Sequence, residues 1–194
     1  MGRSPQRHRD GESAERPVVT DVGEAKRGDP GLSDVRSLGD QSEWEPDWTE
    51  PELPNSRHGA RCLALQALYW GASSGANGLG DVTAALDSLD RRSGLEPEYR
   101  AFAAQLVGVV VDHAAELSQL IEKAAHNWSL TRMARMDVLI LRLALAEILH
   151  VADVPTRVSI DEAVELAKVY SGESSYAFVN GILDAVASGL GVDM

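Results

Sequence analysis

The chain has 194 residues, 18 basic against 30 acidic side chains, a formal net charge of −12 and an apolar share of 44%. This acidic balance argues against broad electrostatic adhesion to nucleic acid, but it leaves room for a small, local RNA site. The single cysteine, Cys62, excludes an internal disulfide framework and suits a reducing cytoplasm. No apolar segment follows the charged amino terminus and no run of about 18 apolar residues occurs, so neither a secretory signal nor a membrane span is predicted.

The apolar residues are unevenly spread along the chain. Residues 1–56 hold 12 of them and six of the eight prolines, whereas residues 57–194 hold the other 73. We therefore predict a disordered acidic extension over 1–56 and one domain over 57–194, large enough to fold without metal or disulfide. Trp44 and Trp48 stand among acidic residues of the extension. We interpret them as part of a solvated linker, with a short docking motif as the alternative.

Helical patterns begin at Arg57 and continue towards the carboxyl terminus. Apolar residues recur at helical spacing, glycine or proline falls between the segments, and no segment alternates as a strand would. The segment from Glu96 to Ala125 is long enough for one bent helix or two abutting helices. The sequence therefore predicts an all-α fold, with helices over residues 57–72, 79–92, 96–125, 136–150, 159 to about 171, and about 174–188.

Three polar features inside these helices carry structural expectations. The run Ser159–Glu162 matches a capping box and predicts a helix start. Arg142 lies in a strongly apolar helix, so its charge must find a carboxylate or reach the surface, and we expect the partner from another helix. Gly181 in mid-helix is expected to allow the close approach of a neighbouring helix, and Asn180 to bind backbone or another side chain.

The sequence offers little support for catalytic or metal chemistry. It contains no His-Glu-x-x-His, no Cys-x-x-Cys and no phosphate-binding glycine loop. Glu147 and His150 have the spacing used in di-iron bundles, but no second copy is present, so we interpret His150 as a cation at a helix end. His113 is expected to be packed or solvated, and Cys62 has no adjacent base in the sequence. We predict no catalysis, no cofactor and no metal.

Four segments of the domain carry a family signature. They are the run Ala64–Tyr69, the run Ile140–Ala144 with its flanking Trp128 and Glu147, the run Asp153–Lys168, and the run Phe178–Asp184. In this order and spacing they resemble the NusB family of bacterial transcription antitermination factors, over essentially all of 57–194. The resemblance implies a compact all-helical bundle of two small subdomains with about seven helices.

The resemblance also implies a function without a catalysed reaction. Members of the family pair with NusE, a ribosomal protein of the small subunit, and the pair binds the boxA element of nascent ribosomal RNA. The pair joins the RNA polymerase elongation complex and suppresses premature termination, and some members form a homodimer. We therefore expect a cytoplasmic antitermination factor with these partners.

The first helix carries the residues expected at the RNA. Arg57 and Arg61 lie four residues apart and so project from one side of the helix, where arginines commonly position phosphates. His58 adds a hydrogen-bond donor, Gln66 offers a hydrogen bond to a base edge or to backbone, and Tyr69 offers a face for an unpaired base.

Two residues near the carboxyl end are expected at the partner surface. They are Tyr176 and Phe178, and Phe178 is at the same time typical of a core position. Tyr176 and Ala177 stand where the family often has a lysine before Phe178.

The chain departs from the family pattern in its cations. His58 and Gly59 stand where basic residues are usual, so we expect weaker and less salt-dependent RNA binding that relies on NusE for its affinity. The alternative is a NusB-like homodimeric protein-interaction module with reduced RNA binding. A third reading, the RNA-binding appendage of a ribosomal RNA methyltransferase, is disfavoured because no cofactor-binding domain follows Met194.

Overall fold

The structure, a computed structural model, describes residues 53–74, 79–126 and 128–191. These parts of the chain form seven α-helices and a single short 3₁₀ turn, Leu130–Arg132, and they contain no strand. The expectation for the acidic extension up to residue 52, with its two tryptophans, lies outside the described residues, and so do residues 75–78 between the first two helices. The helices are α1 (Arg57–Ser74), α2 (Leu79–Ser93), α3 (Pro97–Asp112), α4 (Ala114–Ala124), α5 (Arg135–His150), α6 (Thr156–Tyr170) and α7 (Ser175–Leu190).

The predicted all-α fold is confirmed, and its long third segment is two helices. The backbone leaves helical geometry at His113, where φ is −109° and ψ is 16°, so α3 ends and α4 begins at that residue. The predicted capping box is wrong. Helix α6 begins at Thr156, directly after Pro155 in extended conformation, and Ser159 lies buried inside the helix. No described helix is both long and apolar enough to span a lipid bilayer.

Helix α5 is the centre of the fold. Every residue from Met136 through Glu147 is buried, as expected for a helix that is apolar on all sides. Helix α1 packs against α2 and α3, while α6 and α7 pack against each other, and α5 contacts members of both groups. The core is therefore continuous from the amino end of α1 to α7.

Two buried polar side chains on α5 find partners on other elements. Arg142 is 1% exposed and donates from Nη2 to Ser118 Oγ of α4 at 2.7 Å, so this partner lies on another helix as expected but is a hydroxyl group rather than a carboxylate. The carboxylate of Asp137 accepts hydrogen bonds from Ser171 Oγ at 2.5 Å and Ser175 Oγ at 3.2 Å. Burial raises the pKa of Asp137, and the two hydroxyl donors oppose that rise. These contacts attach the first turn of α5 to the junction between α6 and α7.

Residues just before Arg57 also pack on the domain. Leu53 packs against the core, and Asn55 makes two reciprocal hydrogen bonds with Glu96 at the start of α3. Asn55 Nδ2 donates to the Glu96 carboxylate and Asn55 Oδ1 accepts from the Glu96 backbone N–H, each at 2.8 Å. Residues 53–56 thus belong to the folded unit.

Two glycines in helices have opposite surroundings, one crowded and one open. A Cβ on Gly59 would lie 1.9 Å from the carbonyl oxygen of Pro54, so the segment before α1 can pack on the helix only at a glycine. A Cβ on Gly181 would meet nothing within 4 Å, and the residue is exposed. The expected close helix approach at Gly181 is therefore wrong. Asn180 behaves as expected, since its Nδ2 donates to Asp184 Oδ2 at 2.8 Å.

The two glycines provide a matched pair of substitutions. Gly59→Ala should lower the free energy of unfolding by about 1–3 kcal/mol, because the new methyl group displaces the Pro54 carbonyl. Gly181→Ala should raise it by about 0.5–1 kcal/mol, because alanine is the better helix former at an open position. Urea denaturation of both variants measures the difference, and equal effects would contradict this packing of the amino-terminal segment.

Candidate nucleic-acid interface

Arg57 lies at the exposed amino end of α1. Its Nη2 is 2.5 Å from Asp153 Oδ2, and its guanidinium carbon is 4.8 Å from the centroid of the Phe102 ring. The hydrogen bond from Arg57 holds the pKa of Asp153 below its ordinary value. Both side chains of the ion pair are about half exposed, and an ion pair at the surface contributes little to stability. The guanidinium is therefore held in place but is accessible to a phosphate.

Arg61 does not lie beside Arg57 on the surface, so the expected projection of both arginines towards RNA is wrong for Arg61. Its side chain is only 4% exposed. Nε and Nη2 donate to the two carboxylate oxygens of Glu147 on α5, each at 2.7 Å. Nη1 is 3.6 Å from Glu162 Oε2 on α6. The parallel pair of hydrogen bonds is the geometry in which arginine binds a carboxylate most strongly.

The same carboxylates bind two further side chains. Ser159 Oγ donates to Glu147 Oε1 at 2.6 Å, and His58 Nδ1 lies 2.7 Å from Glu162 Oε2. We call the set Arg61, Glu147, Ser159, Glu162 and His58 the α1–α5–α6 network. It joins three helices through buried or half-buried groups, and it fixes the orientation of the amino end of α1. His58 is about one-third exposed, so one side of its ring remains at the surface.

The structure reveals a base beside Cys62 that the sequence interpretation missed. Cys62 Sγ is 3.6 Å from Nε2 of His58, whose other nitrogen contacts Glu162. Carboxylate, imidazole and thiol in this order also occur in cysteine nucleophile sites. Here burial raises the pKa of the thiol and the residue is 3% exposed, so the sulfur stays protonated and inaccessible. The i, i+4 spacing on one helix face is the signal that indicates the contact.

Gln66 and Tyr69 lie well away from Arg57. Twelve residues of α-helix separate Tyr69 from Arg57, which corresponds to about 18 Å along the axis. Gln66 is half-buried and hydrogen-bonds the side chain of Tyr170, whose pKa is raised mainly by burial. Tyr69 is also half-buried, and the guanidinium carbon of Arg135 lies 5.9 Å from its ring centroid. The predicted RNA residues thus form two groups on α1, and Arg135 joins the second group.

A second exposed surface surrounds the residues predicted to contact a partner. Trp128 is 50% exposed, and its ring centroid is 6.3 Å from that of half-buried Phe178. Arg132 lies over the Trp128 ring at 5.3 Å and accepts a hydrogen bond from the indole Nε1–H through its backbone carbonyl at 3.2 Å. Tyr176, two residues before Phe178 on α7, is 44% exposed. We call these four residues the aromatic surface. Sequence reasoning missed the parts played by Trp128 and Arg132.

Comparison with known proteins assigns the family. The model of the NusB family matches residues 58–188. The chain belongs to the NusB family. It is 43% identical over 143 residues to transcription antitermination protein NusB of Geotalea daltonii, covering 70% of this chain and 97% of that protein. The NusB of Myxococcus xanthus is 42% identical over 135 residues, with 70% and 96% covered.

Solved NusB structures have the same fold. T. maritima NusB superposes with a TM-score of 0.61 and 30% identity, covering 69% of this chain and 91% of that chain. A chain from the crystal structure of antitermination factors NusB and NusE in complex with dsRNA matches with a TM-score of 0.61 and 27% identity, covering 69% and 96%. These relatives are antitermination factors, which agrees with the expectation that the NusB-like domain is not an enzyme.

The ion pair of Arg61 provides a test of the α1–α5–α6 network. Arg61→Met should lower the free energy of unfolding by about 3–5 kcal/mol, because it leaves the Glu147 charge buried without its partner. The matched control is Arg157→Met on α6, where the arginine is 79% exposed and 4.0 Å from Asp161, and the expected change is about 0.5 kcal/mol or less. Chemical denaturation measures both. A small loss for Arg61→Met would show that the buried pair is dispensable.

Proposed function

We propose that this NusB-family protein acts with NusE as an antitermination factor that binds the boxA element of nascent ribosomal RNA in the cytoplasm. In this role the pair joins the RNA polymerase elongation complex. The proposal is supported chiefly by the likeness to a NusB chain crystallised with NusE and dsRNA, over 96% of that chain. It is further supported by the extent of the family match, which runs through all seven helices.

The geometry of α1 supports an RNA-binding surface that carries few positive charges. Arg57 offers an exposed guanidinium, and His58 offers the accessible side of its ring. Tyr69, with Arg135 beside it, offers an aromatic face of the kind on which unpaired RNA bases stack. Arg61 is assigned an indirect role, since its contacts with Glu147 and Glu162 orient the helix that carries the other residues.

The aromatic surface supports a protein partner. Tryptophan, tyrosine and arginine are the residues most enriched among those that dominate binding energy in protein interfaces. Trp128, Arg132 and Tyr176 are exposed, and half-buried Phe178 anchors Trp128 to the domain. We assign this surface to NusE, which leaves the amino end of α1 available to the RNA.

The RNA proposal is tested by titrating fluorescent boxA RNA with the full chain, alone and with NusE. We expect affinity to rise at least tenfold when NusE is present, because the chain has a net charge of −12 and few exposed cations on α1. Arg57→Ala should weaken binding by the complex, while Arg92→Ala at the exposed end of α2 should leave it unchanged.

Two outcomes would contradict the RNA proposal. Equal affinities with and without NusE would refute the dependence on the partner, and equal binding of a scrambled RNA would refute recognition of boxA. Analytical ultracentrifugation in the same buffer gives the oligomeric state of the chain. A chain that self-associates and binds neither RNA nor NusE would favour the homodimeric interaction module instead.

The partner assignment is tested by substitution on the aromatic surface. Tyr176→Ala should weaken NusE binding at least fivefold, because truncation of an exposed aromatic contact in an interface commonly costs about 1 kcal/mol or more. Val169→Ala is the control, since Val169 is an exposed apolar residue on α6, at 63%, outside this surface. Calorimetric titration with purified NusE measures the affinity of each variant. Equal affinities for the two variants would show that NusE does not bind at the aromatic surface.

A further inference from the structure

Three side chains with metal-binding atoms meet where α3, α4 and α5 come together. His113 separates α3 from α4, Glu116 lies in the first turn of α4, and His150 is the last residue of α5. His113 Nδ1 is 2.9 Å from Glu116 Oε2, and His150 Nε2 is 3.8 Å from the same oxygen. One ligand atom from each residue lies within 4.8 Å of the other two. The three side chains thus present two nitrogens and one oxygen to a common point.

The surroundings of His150 indicate a ligand rather than a hydrogen-bonded side chain. Its Nε2 is shielded from solvent and makes no hydrogen bond with any described residue. The nearest carboxylate oxygen, at 3.8 Å, is too distant for a hydrogen bond. Two ligands of one tetrahedral zinc ion, each about 2.0–2.1 Å from the metal, are about 3.3 Å apart. The two separations that involve Glu116 Oε2, 2.9 and 3.8 Å, lie on either side of that value. All three ligand atoms lie within 4.8 Å of one another, so the side chains must move closer together to bind one ion.

The two imidazole rings are packed against each other. Their centroids are 3.9 Å apart and their planes are inclined by 29°. His113 is 39% exposed and Glu116 is 52% exposed, so both can rotate towards an ion that the more buried His150 holds. The packing therefore keeps the two rings side by side, next to the carboxylate of Glu116.

We propose that His113, Glu116 and His150 form a binding site for a divalent transition-metal ion, with Zn²⁺ as the best match. Two imidazoles and one carboxylate suit Zn²⁺ and neighbouring first-row metals, whereas Mg²⁺ and Ca²⁺ prefer oxygen ligands throughout. The sequence interpretation of His150 as a helix-end cation, and its prediction of no metal, are replaced by this assignment. The site is independent of the proposed RNA function.

The ion links the carboxyl end of α5 to the junction of α3 and α4. Glu147, which binds Arg61, precedes His150 by one helical turn on α5. Metal at His150 therefore holds the last turn of the helix from which the α1–α5–α6 network is built. Because the ion binds only when these two separate parts of the chain are folded together, it should raise thermal stability by an amount that grows with the logarithm of the free ion concentration above the dissociation constant.

The test uses the full chain and ZnCl₂ in isothermal titration calorimetry, with Co²⁺ absorption as a second probe of nitrogen and oxygen ligation. We expect one ion per chain and a rise in the thermal unfolding midpoint. Glu116→Gln should weaken Zn²⁺ binding at least tenfold, and the double variant His113→Asn with His150→Asn should abolish it. His126→Asn is the matched control, because His126 is an exposed histidine outside the cluster, and asparagine tolerates its positive φ of 46°.

Zn²⁺ binding by the wild type, the cluster variants and the control variant decides the proposal. Loss of binding in the cluster variants, with unchanged binding in His126→Asn, supports the site. Absent Zn²⁺ binding by the wild-type chain, or equal binding by wild type and the double variant, overturns it. If the double variant unfolds, Glu116→Gln decides the question, because that exposed side chain keeps its size and loses only its charge.

Discussion

The buried ion pair between Arg61 and Glu147 is the contact on which the organisation of the amino-terminal edge depends. Two charges that are almost fully removed from water cost free energy unless their geometry is good and their remaining hydrogen-bonding atoms are satisfied. Both conditions are met here, because the guanidinium binds both carboxylate oxygens and Ser159 donates to one of them. Since the partners come from α1, α5 and α6, the pair is satisfied only when all three helices are in place.

This constraint divides the basic residues of α1 between two tasks. Arg61 faces inward and is occupied by carboxylates, whereas Arg57, one turn earlier, remains at the surface with Asp153 and the Phe102 ring. His58 belongs to both groups, because Glu162 binds one nitrogen while part of the ring stays exposed. The network therefore stabilises the domain and also determines which side of α1 is presented to a ligand.

Local signals in the sequence were sufficient to predict the helices. They were not sufficient to predict which arginine of α1 is buried and which is exposed. Helical spacing predicted six helical segments, of which four agree closely with the structure. Of the other two, one is divided into two helices at His113, and the other, α6, begins earlier than predicted, at Thr156. Spacing on α1 predicted that Arg57 and Arg61 project from one side, but it could not show that Arg61 is buried, because its partner Glu147 is 86 residues away in the chain. Likewise the constraint on Gly59 comes from the Pro54 carbonyl, and no residue pattern within α1 reports it.

The charge distribution is the physical reason for the reliance on a partner protein in the proposed function. A phosphate that binds Arg57 must compete with Asp153, so fewer counterions are released overall than a free arginine would release. Arg61 cannot add to the attraction, because two glutamates already neutralise it inside the fold. In the proposed complex, affinity for RNA would come from stacking, from Arg135 beside Tyr69, and from cations on another protein. The aromatic surface is uncharged apart from Arg132, so it can hold such a protein without drawing on the few exposed cations of α1.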